Sequence, residues 1–215
     1  WHRETAARLL YERKSPETVE ILNAKRDADL SPLGQLHSLY ALSGQGELST
    51  QAIVVALQHQ HPQVRRHALK LGEQFASNPK MEQPLLSLAT DPSLEVRIQL
   101  AFSAAALPSE LKIPLLERVI ANGPGNRWLE TAVLSSLSEG GAELFAKLVQ
   151  NKSFKSEAAG RFLATLATQI GQQNQPSDID LALDQVSTLP ASSASFTLPI
   201  LGSLTAYRSR KNHYL

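Results

Sequence analysis

Three histidines, His59, His61 and His67, stand close together in a chain of 215 residues, and such a cluster could bind a transition metal. A metal site would need them to converge with carboxylates at ligand distance. Their spacing argues against this: His59 and His61 straddle a helix end and the Pro62 turn, His67 belongs to the next helix, and no Asp or Glu occurs from residue 48 to 72. Serines are plentiful, but no G-x-S-x-G elbow and no phosphate-cradling glycine loop accompanies them, and Gly123-Pro124-Gly125-Asn126 reads as a turn. Asp178, Asp180 and Asp184 follow Gln175-Pro176-Ser177, where carboxylates favour a helix N-terminus. As a glycosidase pair they would need a defined separation across a cleft. With no cysteine there is no disulfide, thiolate nucleophile, zinc-thiolate site or CxxCH haem attachment. The expectation is a chain without catalytic residues, metal or cofactor, and not an enzyme.

The elements that carry these residues come from an ordinary globular composition, 42% hydrophobic and 19% charged. Lys plus Arg number 21 against 20 Asp plus Glu, and residues 1–107 hold eleven of each sign. Neither half has the strong field that phosphate-backbone or anionic-membrane binding draws on, so nucleic acid is the weaker alternative partner. No apolar run approaches the roughly 20 residues of a membrane span. The opening Trp1-His2-Arg3 lacks an initiator Met and a signal-like leader, and is expected to be an excised piece of a larger protein.

The strongest pattern is an internal repeat. Ala6, Ser38, Ala68, Leu100 and Ala132 fall in register as anchors, separated by 32, 30, 32 and 32 residues. Four positions earlier stand His2, Gly34, Val64, Val96 and Trp128, and three positions later Leu9, Ala41, Leu71, Ser103 and Ser135, columns expected to share one buried helix face. Trp1 and Trp128 are accordingly expected in the core. A further copy runs from Glu157 to Ala167. Between the anchored helices, second helices are predicted over 16–24, 48–58, 81–90, 109–121, 142–150 and 177–186. Pro16, Pro32, Pro62 and Pro92 suit first helical turns, with Ser15, Ser31 and Asp91 as N-caps. Each repeat is then a helical hairpin that must stack on its neighbours to close a core. We expect an all-α chain of six to seven hairpins forming a single domain over residues 1–215, with residues 188–215 as a terminal cap or incomplete repeat that presents Leu198, Leu201 and Leu204 to whatever follows.

One position before each anchor the column reads Thr5, His37, His67, Gln99 and Thr131, polar in every copy. Were the first helices to line the inner surface of the stack, these residues, with Arg66 and Glu130 one step earlier, would form a partner-binding groove. Such a contact would be a broad protein surface rather than a pocket.

The segments His61-Pro62-Gln63-Val64-Arg65-Arg66-His67-Ala68-Leu69 and Asp91-Pro92-Ser93-Leu94-Glu95-Val96-Arg97-Ile98-Gln99-Leu100-Ala101 resemble the HEAT-repeat pattern D-P-x-x-x-V-R-x-x-A. What the resemblance implies is a right-handed α-α superhelix whose second helices line a concave surface, used as a protein-binding scaffold, in which Arg65 and Arg97 pair structurally with a neighbouring turn. No His-Glu dipeptide of the HEAT-repeat hydroxylases is present. Residues 1–10 and 31–42 are similar to the HEAT segment of large bacterial exported proteins that join a dehydrogenase-like propeller to a c-type cytochrome domain. That resemblance implies a periplasmic or extracytoplasmic setting and a spacing role between flanking domains.

Overall fold

The computed structural model describes residues 2–12, 14–26, 31–188, 200–202 and 204, and among them every regular element is helical. The chain divides into two compact units, residues 1–107 and 108–215. In the first, the first helices of successive hairpins are α1 (His2–Glu12), α3 (Pro32–Gln45), α5 (Pro62–Gly72) and α7 (Leu94–Ser103). Their partners are α2 (Pro16–Arg26), α4 (Thr50–Leu57) and α6 (Glu82–Leu88). The second unit contains α8 (Ser109–Ala121), α9 (Arg127–Ser135), α10 (Gly141–Gln150), α11 (Glu157–Gln173) and α12 (Pro176–Ser187). The prolines stand where their missing N–H costs least, at the first turns of α2, α3, α5 and α12. Pro92, expected at a first helical turn, instead precedes the Ser93 N-cap position of α7, and Pro114 lies inside α8, where it removes one backbone donor.

Stacking follows the hairpin period. Within the first unit α1 packs on α3, α3 on α5 and α5 on α7, while α4 packs on both α5 and α6. Within the second, α10 packs on α8, α11 and α12. The polar ties between elements repeat at the same interval. Asn78 Nδ2 reaches Thr50 Oγ1 at 3.2 Å, Ser103 Oγ reaches Glu73 Oε1 at 2.7 Å, and Gln150 Nε2 reaches Gln185 Oε1 at 2.8 Å. Side chains about one repeat apart in sequence therefore lie against one another, as neighbouring hairpins in a helical array must. This is an all-α, HEAT-like arrangement.

The apolar interior of the first unit gathers Leu39, Leu42, Ile53, Leu57, Val64, Leu69, Met81 and Leu100; that of the second gathers Leu115, Leu116, Phe145 and Phe162. Phe154 meets Phe162 edge-on, with centroids 6.2 Å apart. Backbones come close where side chains are missing: a Cβ on Gly72 would stand 3.0 Å from both Ile53 and Met81. Gly140 has φ of +82°, and a Cβ there would stand 2.6 Å from Ile113 Cδ1, so this turn admits glycine alone without rearrangement.

The buried face differs from the expected columns. Leu39, Leu69, Ala101 and Val133, one position after the anchors, are buried, whereas three after only Ser103 is buried, Leu9, Ala41 and Leu71 are half-buried and Ser135 is exposed. The face is turned by about one residue, because a first helix is covered by its own partner and by first helices on either side, and those neighbours set the buried arc. Trp128 departs furthest: it is 71% exposed. In α9 the buried stripe is Leu129, Ala132 and Val133, a one-sided helical pattern that leaves position 128 outside. Asp91 also differs from its expected role. The helix after it begins at Leu94, so Asp91 precedes the N-cap position and its carboxylate instead accepts from Ser93 N at 2.8 Å. At the C-terminal end Leu204 is buried rather than presented outward. Trp1, Leu198 and most of the expected terminal cap lie outside the described residues.

Candidate functional surface

The histidine cluster is built into helix starts. His59 Nδ1 accepts from His61 N at 2.9 Å, and His61 Nδ1 accepts from Gln63 N at 3.3 Å, making His61 the N-cap of α5. Both ring lone pairs are thus committed to backbone donors that the first helical turn leaves orphaned. Among the described residues no group of three His, Asp or Glu side chains is placed to hold a metal ion.

Arg65 is 9% exposed and Asp91 6%, and they form a bidentate pair, Nε to Oδ2 at 2.6 Å and Nη2 to Oδ1 at 2.8 Å. Arg65 Nη1 also donates to the carbonyls of His59 and Gln60, at 2.7 and 2.9 Å, just past the end of α4. One guanidinium therefore closes the turn that leads into its own hairpin and fastens the turn that leads into the next. This is the structural pairing expected of Arg65. In the second unit a different device serves the turn that follows a first helix, between α9 and α10. Gln169 Nε2 donates to the carbonyls of Leu134 and Leu137, and Gln173 Nε2 to those of Leu137 and Ser138, all at the C-terminal end of α9. Sequence reading missed the Gln clamps, since glutamines four apart on a helix look like any solvated pair.

The polar column before the anchors divides between the two units. In the first, Thr5 is half-buried and His37 and Arg66 are exposed. His67 is half-buried, with the Tyr40 hydroxyl 2.8 Å from its Nδ1 and the two rings edge-on, centroids 5.6 Å apart. In the neutral Nε2–H tautomer the hydroxyl donates to that nitrogen. Burial first, then the nearby Arg66 and Lys70 cations, hold the His67 pKa below its ordinary 6.5. Burial raises the Tyr40 phenol above 10.0, partly offset by Arg66. Gln99 donates through Nε2 to Ser103 Oγ at 3.2 Å, and Ser103 donates onward to Glu73, so this column member ends in a chain of side-chain bonds.

In the second unit Glu130 accepts from Gly125 N at 2.7 Å, tying down the turn before α9, and Thr131 Oγ1 donates to the Arg127 carbonyl of its own helix. These two do not assemble a site with each other. In the first unit, by contrast, His37 and Tyr40 lie one helical turn apart on α3 and line a groove of about 280 Å³ with Ala6, Leu10, Tyr11 and Gly44. The groove is mostly apolar, and Tyr40 joins it to His67 on α5. Tyr40 lies outside the polar column before the anchors, although its place three residues after His37 puts it on the same face.

No helix among the described residues is long and apolar enough to cross a membrane. No match to this chain was found among curated proteins or among solved structures. Residues 50–138, which contain the Arg65–Asp91 pair and both sequence segments resembling the HEAT pattern, match the family model of HEAT repeats.

Proposed function

We propose that this chain is a non-catalytic scaffold whose stacked hairpins bind a protein segment through the exposed faces of the first helices. The observation that carries this reading is the division of labour among polar groups. Arg65, Asp91, Gln169 and Gln173 are spent on closing turns, whereas His37, Arg66 and the Tyr40–His67 pair are held at the surface around an open groove. Such broad, repeat-built faces suit extended protein partners. Photo-crosslinking tests it. A photoreactive phenylalanine at His37 or Arg66 is expected to trap a protein partner in cells, whereas the same residue at exposed Glu82 or Glu143, on second helices, is not. Adducts confined to the second-helix positions would overturn the assignment of the face.

A second reading is supported by the similarity of residues 1–10 and 31–42 to the HEAT segment of exported redox proteins. In it the array spaces flanking domains in the periplasm. The full-length gene decides this, because a downstream CxxCH would be expected and its absence would remove the reading. Nucleic-acid binding is the remaining alternative, and retention on heparin that falls with salt would favour it over either.

A further inference from the structure

The partner's chemistry can be read from the surroundings of the groove. Its volume of about 280 Å³ lies just below the roughly 300–1,000 Å³ of small-molecule pockets, a size suited to one apolar side chain. Tyr11 and Tyr40, both exposed, offer it ring faces and edges. Cations approach from two sides. Lys14 Nζ stands 6.0 Å from the Tyr11 ring centroid. On the other side Arg66 and Lys70 are exposed on α5, close enough to act electrostatically on His67, and Arg66 also on Tyr40. No acid offsets them on α5, which belongs to the stretch from 48 to 72 without Asp or Glu. On the following elements Asp91 is neutralised by Arg65, while Glu95 and Glu73 accept hydrogen bonds from the neutral Gln63 and Ser103. Glu12 is paired with Arg8 on α1.

We propose that this surface recognises an acidic peptide segment, seating one apolar side chain in the α1–α3 groove and its neighbouring carboxylates on Arg66 and Lys70. The inference rests on the scaffold reading and deepens it by naming the partner's charge and anchor. Complementary charge supplies the orientation and encounter rate, and the buried side chain supplies the hold. The Tyr40 hydroxyl, 2.8 Å from His67 Nδ1, links the groove to the helix that carries Arg66 and Lys70.

The test is fluorescence anisotropy on the whole chain, with short labelled peptides in which a leucine is followed by glutamates, by serines or by lysines. The glutamate peptide is expected to bind at low salt, at least about tenfold more tightly than the serine peptide, and to weaken as salt rises. Arg66→Glu with Lys70→Glu should abolish that preference, and Tyr11→Ala should weaken the glutamate and serine peptides alike. Thermal melting of each variant, together with the milder Arg66→Gln with Lys70→Gln, separates loss of binding from loss of fold. Equal binding of the glutamate and serine peptides, unchanged by the charge reversal, would overturn the acidic preference while leaving the scaffold reading intact. Preference for the lysine peptide, or binding of duplex DNA with no peptide bound, would overturn the proposal, and failure of the crosslinking experiment would separately remove the scaffold reading.

Discussion

Three positions before the anchor, α5 carries Arg65 and α9 carries Leu129, and the two hairpins are secured by opposite chemistry. Around α5 a buried cation satisfies the carbonyls past α4 and is itself neutralised by Asp91 from the following turn. Around α9 the equivalent position is apolar and fully buried, and the open carbonyls are met by neutral glutamine amides reaching across from α11. A charged clamp gains reach and directionality but makes each partner depend on the other, because a lone buried charge is costly. A neutral clamp gives weaker bonds whose loss is borne locally.

The sharpest way to break this comparison is to remove one half of the ion pair. Asp91→Ala is expected to cost about 3–5 kcal/mol in urea unfolding, and replacing both partners together, Arg65→Met with Asp91→Leu, should recover only part of that, because the His59 and Gln60 carbonyls and the Ser93 N–H lose their partners. Gln173→Leu should cost only about 1–2 kcal/mol, the scale of neutral hydrogen bonds left unmade. A cost for Asp91→Ala no larger than that of Gln173→Leu would show that the charged clamp does not govern its hairpin.

A smaller effect sharpens the register difference between the same two helices. Val64 and Trp128 occupy the same column, four before the anchor, yet Val64 is fully buried and Trp128 is mostly exposed. Val64→Ala should lose about 1.5–3 kcal/mol, the scale of burying that side chain. Trp128→Ala should change stability by no more than about 0.5 kcal/mol, as surface substitutions usually do. Reversal of that order would place the indole in the core after all.

The smallest effect is a pH dependence confined to the Tyr40–His67 pair. His67 has a folded pKa below 6.5, so the unfolded chain binds more protons between the two values, and the stability contribution rises with pH across that window and is lost below it. Tyr40 acts in the opposite direction at the alkaline end: its raised pKa means that stability falls as pH climbs past 10.0. Denaturation curves of His67→Gln across the acidic window should be flatter than those of the parent, and an unchanged slope would assign the dependence to other groups.

Most of the architecture was legible in the sequence because the anchors recur every 30 to 32 residues and the prolines punctuate helix starts. The second helices expected at 109–121 and 142–150 agree with α8 and α10 to within a residue. What the pattern did not carry was rotation about each helix axis. A column shows that positions are equivalent but not which neighbour each faces, and so Leu71 was taken as core and Leu69 overlooked. The site was less legible still. His61, whose spacing from the other histidines already spoke against a metal site, is the N-cap of α5, and Glu130 accepts from the backbone of the turn before α9. Those roles depend on backbone groups, which carry no sequence signature. Tyr40 gained its place from a tie to His67, 27 residues further along the chain.

The spacing of the long ties has a mechanical corollary. Arg65 to Asp91 spans 26 residues and Gln173 to Leu137 spans 36, so within each unit a side-chain bond holds one hairpin to the next. Pulled from its ends, a chain fastened in this way yields one hairpin at a time, giving a staircase of small force peaks rather than one rupture. The step length would report the repeat directly, and the step that holds longest should be the one fastened by Arg65.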